Sequence, residues 1–234
     1  MRVRRVVTSR PGGVSRPPYD AFNLGAHVGD DPAAVGANRR RLAGELGVGA
    51  DRLAWMDQVH GSAVAVLDRP AARPLPATDA LVTAVRGLPL AVVVADCVPV
   101  LMADPVAGVV AAVHAGRPGA AAGIAVRALR AMLALGAEPD RVDVLLGPAV
   151  CGGCYEVPAR MRAEVDAALP GSASRTRRGT AGLDLRAGIA AQLRAEGVGQ
   201  VVQDSRCTAE DTALFSYRRD GRTGRQAGLV WLAD

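Results

Sequence analysis

The sequence predicts a mixed α+β fold built from layers of strands and helices. Three runs of buried-strand character follow one another directly, at residues 90–95, 100–103 and 109–113. Most helical patterns come later in the chain and do not follow each strand in turn. Because strands adjoin one another as often as they alternate with helices, a layered α+β domain is favoured over a doubly wound parallel sheet.

Local signals place the individual elements. The first helix is predicted to begin at Asp31-Pro32, where an acidic N-cap precedes a proline, and to end at Gly47. Residues 55–67 are predicted to form strands around a turn at Gly61, and the last strand is expected to close the sheet. The other predictions are helices over 119–135, 158–169 and 183–196, and strands over 142–146, 198–202 and 227–232.

Composition limits the classes of function. The chain has 234 residues, its 28 basic residues are all arginine, and its net charge is +5. The absence of lysine excludes Schiff-base and P-loop lysine chemistry. No linker or internal repeat divides the sequence, so residues 1–234 are predicted to form a single domain.

The charged residues favour small anionic ligands over nucleic acid. The arginine runs are separated in sequence and interleaved with acids, whereas a nucleic-acid groove favours a basic stripe with aromatic partners. Arginine clamps for phosphate or carboxylate fit better. The basic start lacks the apolar core of a secretory signal, and no stretch of about 18 apolar residues offers a membrane span. We therefore predict a cytoplasmic protein without a nucleic-acid or membrane partner.

A cysteine and two histidines are the first candidates for chemistry. His60, Cys97 and His114 supply two imidazoles and one thiolate, a ligand set that suits Zn²⁺ and leaves a fourth position for water. The same residues fit two other interpretations: histidines and a cysteine that merely pack in the core, or a Cys–His nucleophile pair. Spacing alone does not decide among them, because no short ligand motif such as HExxH is present.

An ordered series of short motifs runs along nearly the whole chain, from Asn23 to Trp231. The motifs are Asn23-Leu24-Gly25, Asn38-Arg39, Gln58-Val59-His60-Gly61, Thr78-Asp79-Ala80, Ala95-Asp96-Cys97-Val98-Pro99, Val113-His114-Ala115-Gly116, Gly147-Pro148, Cys154-Tyr155-Glu156-Val157, Phe215-Ser216-Tyr217-Arg218-Arg219 and Thr223-Gly224-Arg225-Gln226. The series resembles the YfiH-type family, long labelled multicopper polyphenol oxidase or laccase domain. The resemblance implies a layered α-β-β-α sandwich and carries zinc-ligand and catalytic roles onto His60, Cys97 and His114.

The resemblance also implies an activity: zinc-dependent phosphorolysis of adenosine, inosine, guanosine or methylthioadenosine, with deamination of adenosine. The expected partners are purine nucleosides and phosphate. Without lysine, arginine must hold the phosphate, and Arg39 is the first candidate. Asn23 and Asn38 are candidates to bind ribose or phosphate. His27 is a candidate for the substrate phosphate, or alternatively for the cap of the helix that follows.

Three alternatives to this activity follow from the same residues. A multicopper oxidase needs about ten imidazoles and a cysteine, whereas the chain has three histidines, so laccase chemistry is implausible. A Cys97 nucleophile would make a hydrolase, consistent with a family link to the editing of peptidoglycan precursors. A vestigial pocket would leave a non-catalytic binding protein. The sequence carries no signal for the oligomeric state.

Three further features of the sequence concern residues near these motifs. Asp96 either orients a ligand histidine or serves as a turn residue at a strand end. Cys151 and Cys154 form a CxxC motif without a second pair, which disfavours structural zinc and leaves redox chemistry or simple packing. Arg117-Pro118 replaces the Trp-Arg usual in the family, so an aromatic ring is lost and Pro118 removes a backbone donor.

Overall fold

The strands of the computed structural model, which describes residues 2–233, form two sheets and one short hairpin. Most of the central strands are fully buried, as their continuous runs of Val, Leu and Ala predict. The bounds are β1 Val3–Val7, β2 Val64–Leu67, β3 Ala80–Thr83, β4 Leu90–Val94, β5 Val98–Asp104, β6 Val109–Ala115, β7 Asp143–Leu146, β8 Ala173–Arg175, β9 Ala181–Leu183, β10 Gln200–Gln203 and β11 Gln226–Leu232.

The first helix begins and ends at residues with ordinary capping chemistry. The Asp31 side chain accepts a hydrogen bond from the Ala33 N–H at the start of the first helix, and Gly47 ends it with a φ of 70°. No helix of residues 2–233 has the length and apolar character needed to cross a lipid bilayer. The bounds are α1 Pro32–Leu46, α2 Arg117–Ala121, α3 Ile124–Ala134, α4 Ala159–Ala168, α5 Leu185–Ala195 and α6 Tyr217–Asp220, with short 3-10 helices at Ala50–Arg52 and Pro139–Arg141.

The two sheets differ in size and in strand direction. The small sheet has the order β1-β11-β4 and is antiparallel. The large sheet has the order β10-β7-β5-β6-β3-β2, with parallel pairs at its two edges and antiparallel pairs between them. The large sheet is therefore mixed, as the sequence predicts.

Apolar side chains fill three separate spaces between the layers. Leu42 of α1 packs with Trp231 on the outer face of the small sheet. Val230 and Leu101 belong to the cluster between the two sheets. Leu129 of α3 lies in the cluster that covers the outer face of the large sheet, together with side chains of α5. The order of layers is helix, sheet, sheet, helix, which confirms the predicted α-β-β-α sandwich.

The structure corrects several predicted elements. Within residues 55–67 only β2 is a strand, and the segment before it pairs through single bridges at Ala54 and Met56. The helix predicted over 119–135 is broken at Gly123, whose φ of 74° is left-handed, so α2 and α3 are separate. The strand at the C-terminus does not close one sheet; β11 is the middle strand of the small sheet.

Asp104, at the end of β5, is a fully buried carboxylate that anchors a turn far along the strand from Cys97. It accepts hydrogen bonds from the backbone N–H groups of Val106, Ala107 and Glu138, and from the Arg141 guanidinium at 3.2 Å. Burial raises the pKa of Asp104, but these hydrogen bonds outweigh it and hold the pKa below its usual range.

We expect Asp104→Asn to lower the free energy of unfolding at neutral pH by about 3 kcal/mol, because it leaves a buried cluster of donors without its charged acceptor. A carboxylate whose pKa is depressed by folding stabilises the protein above the unfolded pKa of about 3.9, and this contribution disappears as the pH falls through the folded pKa. Urea unfolding at several pH values should therefore show the difference from wild type shrinking below about pH 4. Asp140→Asn is the control, since Asp140 is exposed.

Candidate active site

The three residues singled out by the sequence converge at one place. The ligand atoms of His60, Cys97 and His114 all lie within 4.8 Å of one another. The Sγ atom of Cys97 is 3.7 Å from the Nε2 atom of His60, and the two imidazole rings meet edge to face with their centroids 4.7 Å apart. The cluster combines one soft and two borderline ligands in the manner of a three-ligand metal site.

Strand pairing brings two of these residues together. Cys97 lies in the short connection between β4 and β5, and His114 lies near the end of β6. Antiparallel pairing of β5 with β6 sets Pro99 opposite His114, so the start of one strand adjoins the end of the other. Strand ends are rigid supports for a site, because the ladder of the sheet holds their backbone in place.

His60 reaches the cluster from a loop that is tied to both sheets. The Gln58 amide exchanges two hydrogen bonds with the backbone of Val93 in β4, at 2.8 and 2.9 Å. Two residues later His60 itself has a φ of 60°, an uncommon conformation for a residue with a side chain. The motif Gln58-Val59-His60-Gly61 therefore combines an anchor on the small sheet with a candidate ligand.

Asp79 holds both histidines in position. One carboxylate oxygen of Asp79 lies 2.8 Å from Nδ1 of His114 and 3.0 Å from the backbone N of His60. The other oxygen accepts from the backbone N–H groups of Gly61, at 2.7 Å, and Val59, at 3.3 Å. Because Asp79 occupies Nδ1 of His114, Nε2 is the nitrogen available to the cluster, an arrangement typical of metal-binding histidines.

The charges of the cluster are strongly coupled. Burial raises the pKa of the Cys97 thiol, but hydrogen bonds from His114 and His60 outweigh burial and lower it to about 6. Burial lowers the pKa of His114, but Asp79 and Cys97 raise it to about 9. At neutral pH the protein alone thus favours a Cys97 thiolate beside a protonated His114. A thiolate is the form that binds metal or acts as a nucleophile.

Gly116 allows the histidine and the cysteine to approach each other. A Cβ atom at this position would lie 2.6 Å from Cδ2 of His60 and 3.2 Å from Sγ of Cys97. Any side chain here would displace the His60 ring from the cluster. The glycine of the motif Val113-His114-Ala115-Gly116 is therefore required by the packing of the site itself.

A cavity of about 370 Å³ opens onto the cluster, a size in the range of small-molecule sites. The three histidines of the chain all line it, as do the arginines at positions 117, 218 and 225. Tyr155 and Tyr217 add aromatic surface. The cavity thus places cations and rings beside the candidate metal ligands, as a site for an anion and a flat ligand requires.

His27 is the predicted substrate-binding residue that lines this cavity. Desolvation and the nearby charge of Arg225 lower the pKa of His27, which favours a neutral imidazole. The alternative role, a cap for α1, belongs instead to Asp31. The placement of His27 is compatible with the predicted contact to substrate, which stays a prediction.

Asn23, Asn38 and Arg39 lie behind the lining, and their polar groups are used within the protein. Asn23 is fully buried and holds the backbone N–H groups of Gly25 and Arg225, both at 2.9 Å. The buried Asn38 amide donates to the Asn23 carbonyl oxygen at 2.9 Å. The Arg39 guanidinium donates twice to the Leu24 carbonyl oxygen and stacks 3.9 Å from the Trp55 ring centroid.

These contacts show that Asn23, Asn38 and Arg39 support the loop beside the cavity. Their predicted contact with substrate stays a prediction. Burial lowers the pKa of Arg39 to about 10, still well above neutral pH, so its charge contributes to the field near His27. Arg117, Arg218 and Arg225 line the cavity and are further candidates for an anion, although Nη1 of Arg225 also donates to the carbonyl oxygens of Thr223 and Gly224.

Two further expectations change with the structure. Asp96 does not contact the histidines; its carboxylate accepts from the hydroxyls of Thr208 and Ser216 and from the backbone N–H of Arg218, at 2.6 to 2.7 Å. Pro118 lies in the first turn of α2, where a backbone N–H has no intrahelical acceptor, so it breaks no helical hydrogen bond.

The part played by Asp79 was missed at the sequence level, although the motif Thr78-Asp79-Ala80 belongs to the series that carries the family resemblance. The signal that could have revealed it is an acid directly before a short apolar run, at the edge where other strands end. The lining arginines had a similar signal, since two of them lie within motifs of the same series.

Comparisons with known proteins agree with the fold and the motifs. The family model described as multi-copper polyphenol oxidoreductase laccase matches residues 4–233. A Mycobacterium tuberculosis protein named purine nucleoside phosphorylase is 61% identical over 232 residues, covering 99% of this chain and 93% of the relative. A Corynebacterium glutamicum protein of the same name is 56% identical over 232 residues, covering 98% and 94%.

A solved structure shows the same architecture. The crystal structure of the YfiH protein from Bacillus licheniformis superposes with a TM-score of 0.91 at 31% identity, covering 98% of this chain and 92% of that chain. The motif series, the sandwich fold and the family match over residues 4–233 agree with one another. The chain belongs to the YfiH-type family described as multi-copper polyphenol oxidoreductase laccase.

Proposed function

We propose that this chain is a zinc-dependent purine nucleoside phosphorylase. The observation that carries the proposal is the cavity in which the cluster of His60, Cys97 and His114 lies beside three arginines. Relatives that share 56% and 61% of their residues with this chain, over nearly its whole length, are named purine nucleoside phosphorylases. Adenosine, inosine, guanosine and methylthioadenosine are the proposed nucleosides.

The donor set supports zinc as the metal. Two imidazoles and a thiolate match the three-ligand pattern of catalytic zinc, and Asp79 provides the carboxylate partner that such histidines usually have. When bound, Zn²⁺ supplies Lewis acidity and lowers the pKa of a coordinated water. The description of the family as multicopper oxidases does not fit the donor set, since about ten imidazoles would be needed and the chain has three histidines.

The protein's own residues account for the binding of both substrates. Arg117, Arg218 and Arg225 attract phosphate and hold it in the cavity, where their charges oppose the repulsion between phosphate and thiolate. In phosphorolysis a phosphate oxygen forms the new bond to C1′ of the ribose while the bond from C1′ to the purine nitrogen breaks. The purine leaves with the bonding pair and takes up a proton. Tyr155 and Tyr217 add aromatic surface for the purine, and the Arg218 guanidinium lies over the Tyr155 ring, 5.0 Å from its centroid.

Chromatography of the reaction products tests the proposal. We expect the metal-loaded protein to convert inosine to hypoxanthine and ribose 1-phosphate only when phosphate is present. Release of the base at the same rate without phosphate would indicate hydrolysis and contradict the proposed activity. Absence of any turnover with all four nucleosides would leave a binding protein as the better interpretation.

Deamination of adenosine is proposed as a second activity of the same cavity. It is supported by the metal-ligand cluster, because zinc sites with an open position commonly activate water for such reactions. The chromatogram distinguishes the two reactions. Deamination makes inosine from adenosine without phosphate, whereas phosphorolysis makes adenine and requires phosphate.

A cysteine-nucleophile hydrolase is the second candidate function. The observation that favours it is the position of the Cys97 thiol, whose Sγ atom lies 3.7 Å from Nε2 of His60, within reach of a base. Alkylation and metal analysis separate the two functions. Purified protein that holds zinc and resists iodoacetamide at Cys97 supports the zinc enzyme. Metal-free protein whose Cys97 alkylates rapidly, and which hydrolyses amides or esters, supports the nucleophile.

Arg218→Gln is expected to raise the KM for phosphate by roughly tenfold to a hundredfold, the range for losing one charge-assisted hydrogen bond. The Arg218 side chain lines the cavity, while its backbone N–H bonds to Asp96 and would survive the substitution. Steady-state kinetics at varied phosphate should show the KM for inosine changing little. Arg178→Gln is the matched control, since Arg178 is exposed and outside the cavity lining. An unchanged phosphate KM in the Arg218 variant would contradict its role.

A further inference from the structure

We propose a second metal site, formed by three cysteines and a glutamate outside the cavity lining. The ligand atoms of Cys151, Cys154, Cys207 and Glu210 all lie within 4.8 Å of one another. Zn–S bonds of about 2.3 Å in a tetrahedron place neighbouring ligands about 3.8 Å apart. A contraction of about an ångström at most would therefore complete the coordination.

Two turns of matching length supply the ligands in pairs. Cys151 and Cys154 are separated by two glycines, and Cys207 and Glu210 are also separated by two residues. In the first turn the N–H of Cys154 bonds to the Cys151 carbonyl at 2.9 Å; in the second the N–H of Glu210 bonds to the Cys207 carbonyl at 3.0 Å. Structural zinc sites usually take their ligands in pairs, with at least two residues between the members of each pair.

Backbone contacts hold the two turns together, and one of them is directed at a proposed ligand sulfur. A bridge between Ala149 and Cys207 sets the turns side by side. The backbone N–H of Cys151 points at Sγ of Cys207, 3.3 Å away. Such N–H···S contacts stabilise a ligating thiolate from outside the coordination shell. The sequence has no second CxxC pair, which argues against a structural metal. In the folded chain Cys207 and Glu210 lie where the second pair of ligands would be.

The donor atoms and the exposure of the cluster suit a divalent cation, which would take the place of Arg177 and of the Cys154 proton at the Glu210 carboxylate. Cys207 is buried, Cys151 and Cys154 are half-buried, and Glu210 is exposed and gives access from solvent. The Cys154 thiol donates to Oε1 of Glu210 at 3.2 Å, and the Arg177 guanidinium pairs with the same carboxylate. Three sulfur ligands select a soft or borderline cation such as Zn²⁺ over Mg²⁺ or Ca²⁺.

The site would tie together two loops that border the cavity. Val150 and Tyr155, on either side of the first turn, line the cavity. Thr208, in the second turn, donates to the Asp96 carboxylate at 2.6 Å, next to Cys97. A metal bound here therefore acts as a structural clamp on the cavity wall. Its presence does not depend on the reaction that the cavity performs.

Metal content separates this site from the cluster in the cavity. We expect wild-type protein, purified with a reductant and loaded with Zn²⁺, to hold two equivalents by mass spectrometry, and His60→Ala to retain one. Adding Cys154→Ser to His60→Ala should weaken binding of the remaining equivalent at least a hundredfold. Glu210→Gln, at an exposed position, provides a second variant that should fold normally and also weaken it. Co²⁺ loaded into the His60→Ala protein should show strong thiolate-to-metal absorption.

Three results would overturn the second site. The first is a His60→Ala protein that holds no zinc although wild type holds one equivalent. The second is a retained equivalent that neither Cys154→Ser nor Glu210→Gln weakens. The third is a disulfide among these cysteines in protein purified without oxidant, which would indicate a redox pair. Wild-type protein could instead hold a single equivalent of zinc. If His60→Ala protein keeps that zinc and Cys154→Ser protein loses it, the result supports this site and contradicts zinc in the cavity.

Discussion

The His60→Ala variant is expected to lose the metal of the cavity and to lower kcat/KM for phosphorolysis by about a thousandfold, which corresponds to about 4 kcal/mol. In the proposed zinc site His60 is one of three ligands, and two remaining ligands would not retain a catalytic zinc. The exposed position of His60 implies little change in the free energy of unfolding. Metal analysis, steady-state kinetics and thermal unfolding of the same preparation measure the three effects.

Val59→Ala is the matched control for this prediction. Val59 is the preceding residue of the same loop, its side chain is 53% exposed, and its contact with Asp79 is through the backbone. The control should keep both metal and activity. If the His60→Ala protein performs phosphorolysis at the wild-type rate, the cluster of His60, Cys97 and His114 takes no part in the reaction.

The Asp79→Asn variant is expected to weaken the cavity metal by about tenfold to a hundredfold and to lower activity at least as much. Four N–H donors converge on this one carboxylate, and the amide of asparagine would place an NH₂ group against them. His114 would then lose the partner that selects its tautomer, and the loop that carries His60 would lose its anchor. Chelator competition measures the metal affinity, and urea unfolding measures the accompanying loss of stability.

The Asp104→Asn variant is the control for Asp79→Asn. It shows whether loss of folding stability alone is enough to weaken binding of the cavity metal. Both aspartates are fully buried and accept several hydrogen bonds, but Asp104 lies at the end of β5 that is away from Cys97. The Asp104 variant should lose stability without changing the affinity for the cavity metal. Equal effects of the two variants on that affinity would reduce Asp79 to a structural residue.

Much of the fold was predictable because its signals are local. The N-cap of α1, the left-handed Gly47 and the buried runs of β4 to β6 each depend on residues close in sequence. The elements that were missed are short or paired at long range. β3 has four residues, all buried and without alternation, and β1 pairs in its sheet with β11, more than two hundred residues away.

The candidate site also contains residues that the sequence identifies and residues whose roles only the structure shows. His60, Cys97 and His114 were identifiable because few residues in this chain offer soft ligands, and the family motifs surround each of them. The position of Asp79 before a strand was visible in the sequence, but its partners were not, because they depend on the register that pairs Ala80 with Val113. That register also lets the backbone N–H of His114 bond to the Asp79 carbonyl at 2.7 Å.

The sequence by itself determined the layered α+β class, the candidate ligands and the rule that any side-chain cation holding phosphate is an arginine. Only the tertiary structure decided which arginines face the cavity and which, like Arg39, support its wall. Only the tertiary structure placed Cys207 and Glu210 beside the CxxC turn. The reason is physical: capping and periodicity act over a few residues, whereas a site is assembled by strand register and loop packing between distant segments.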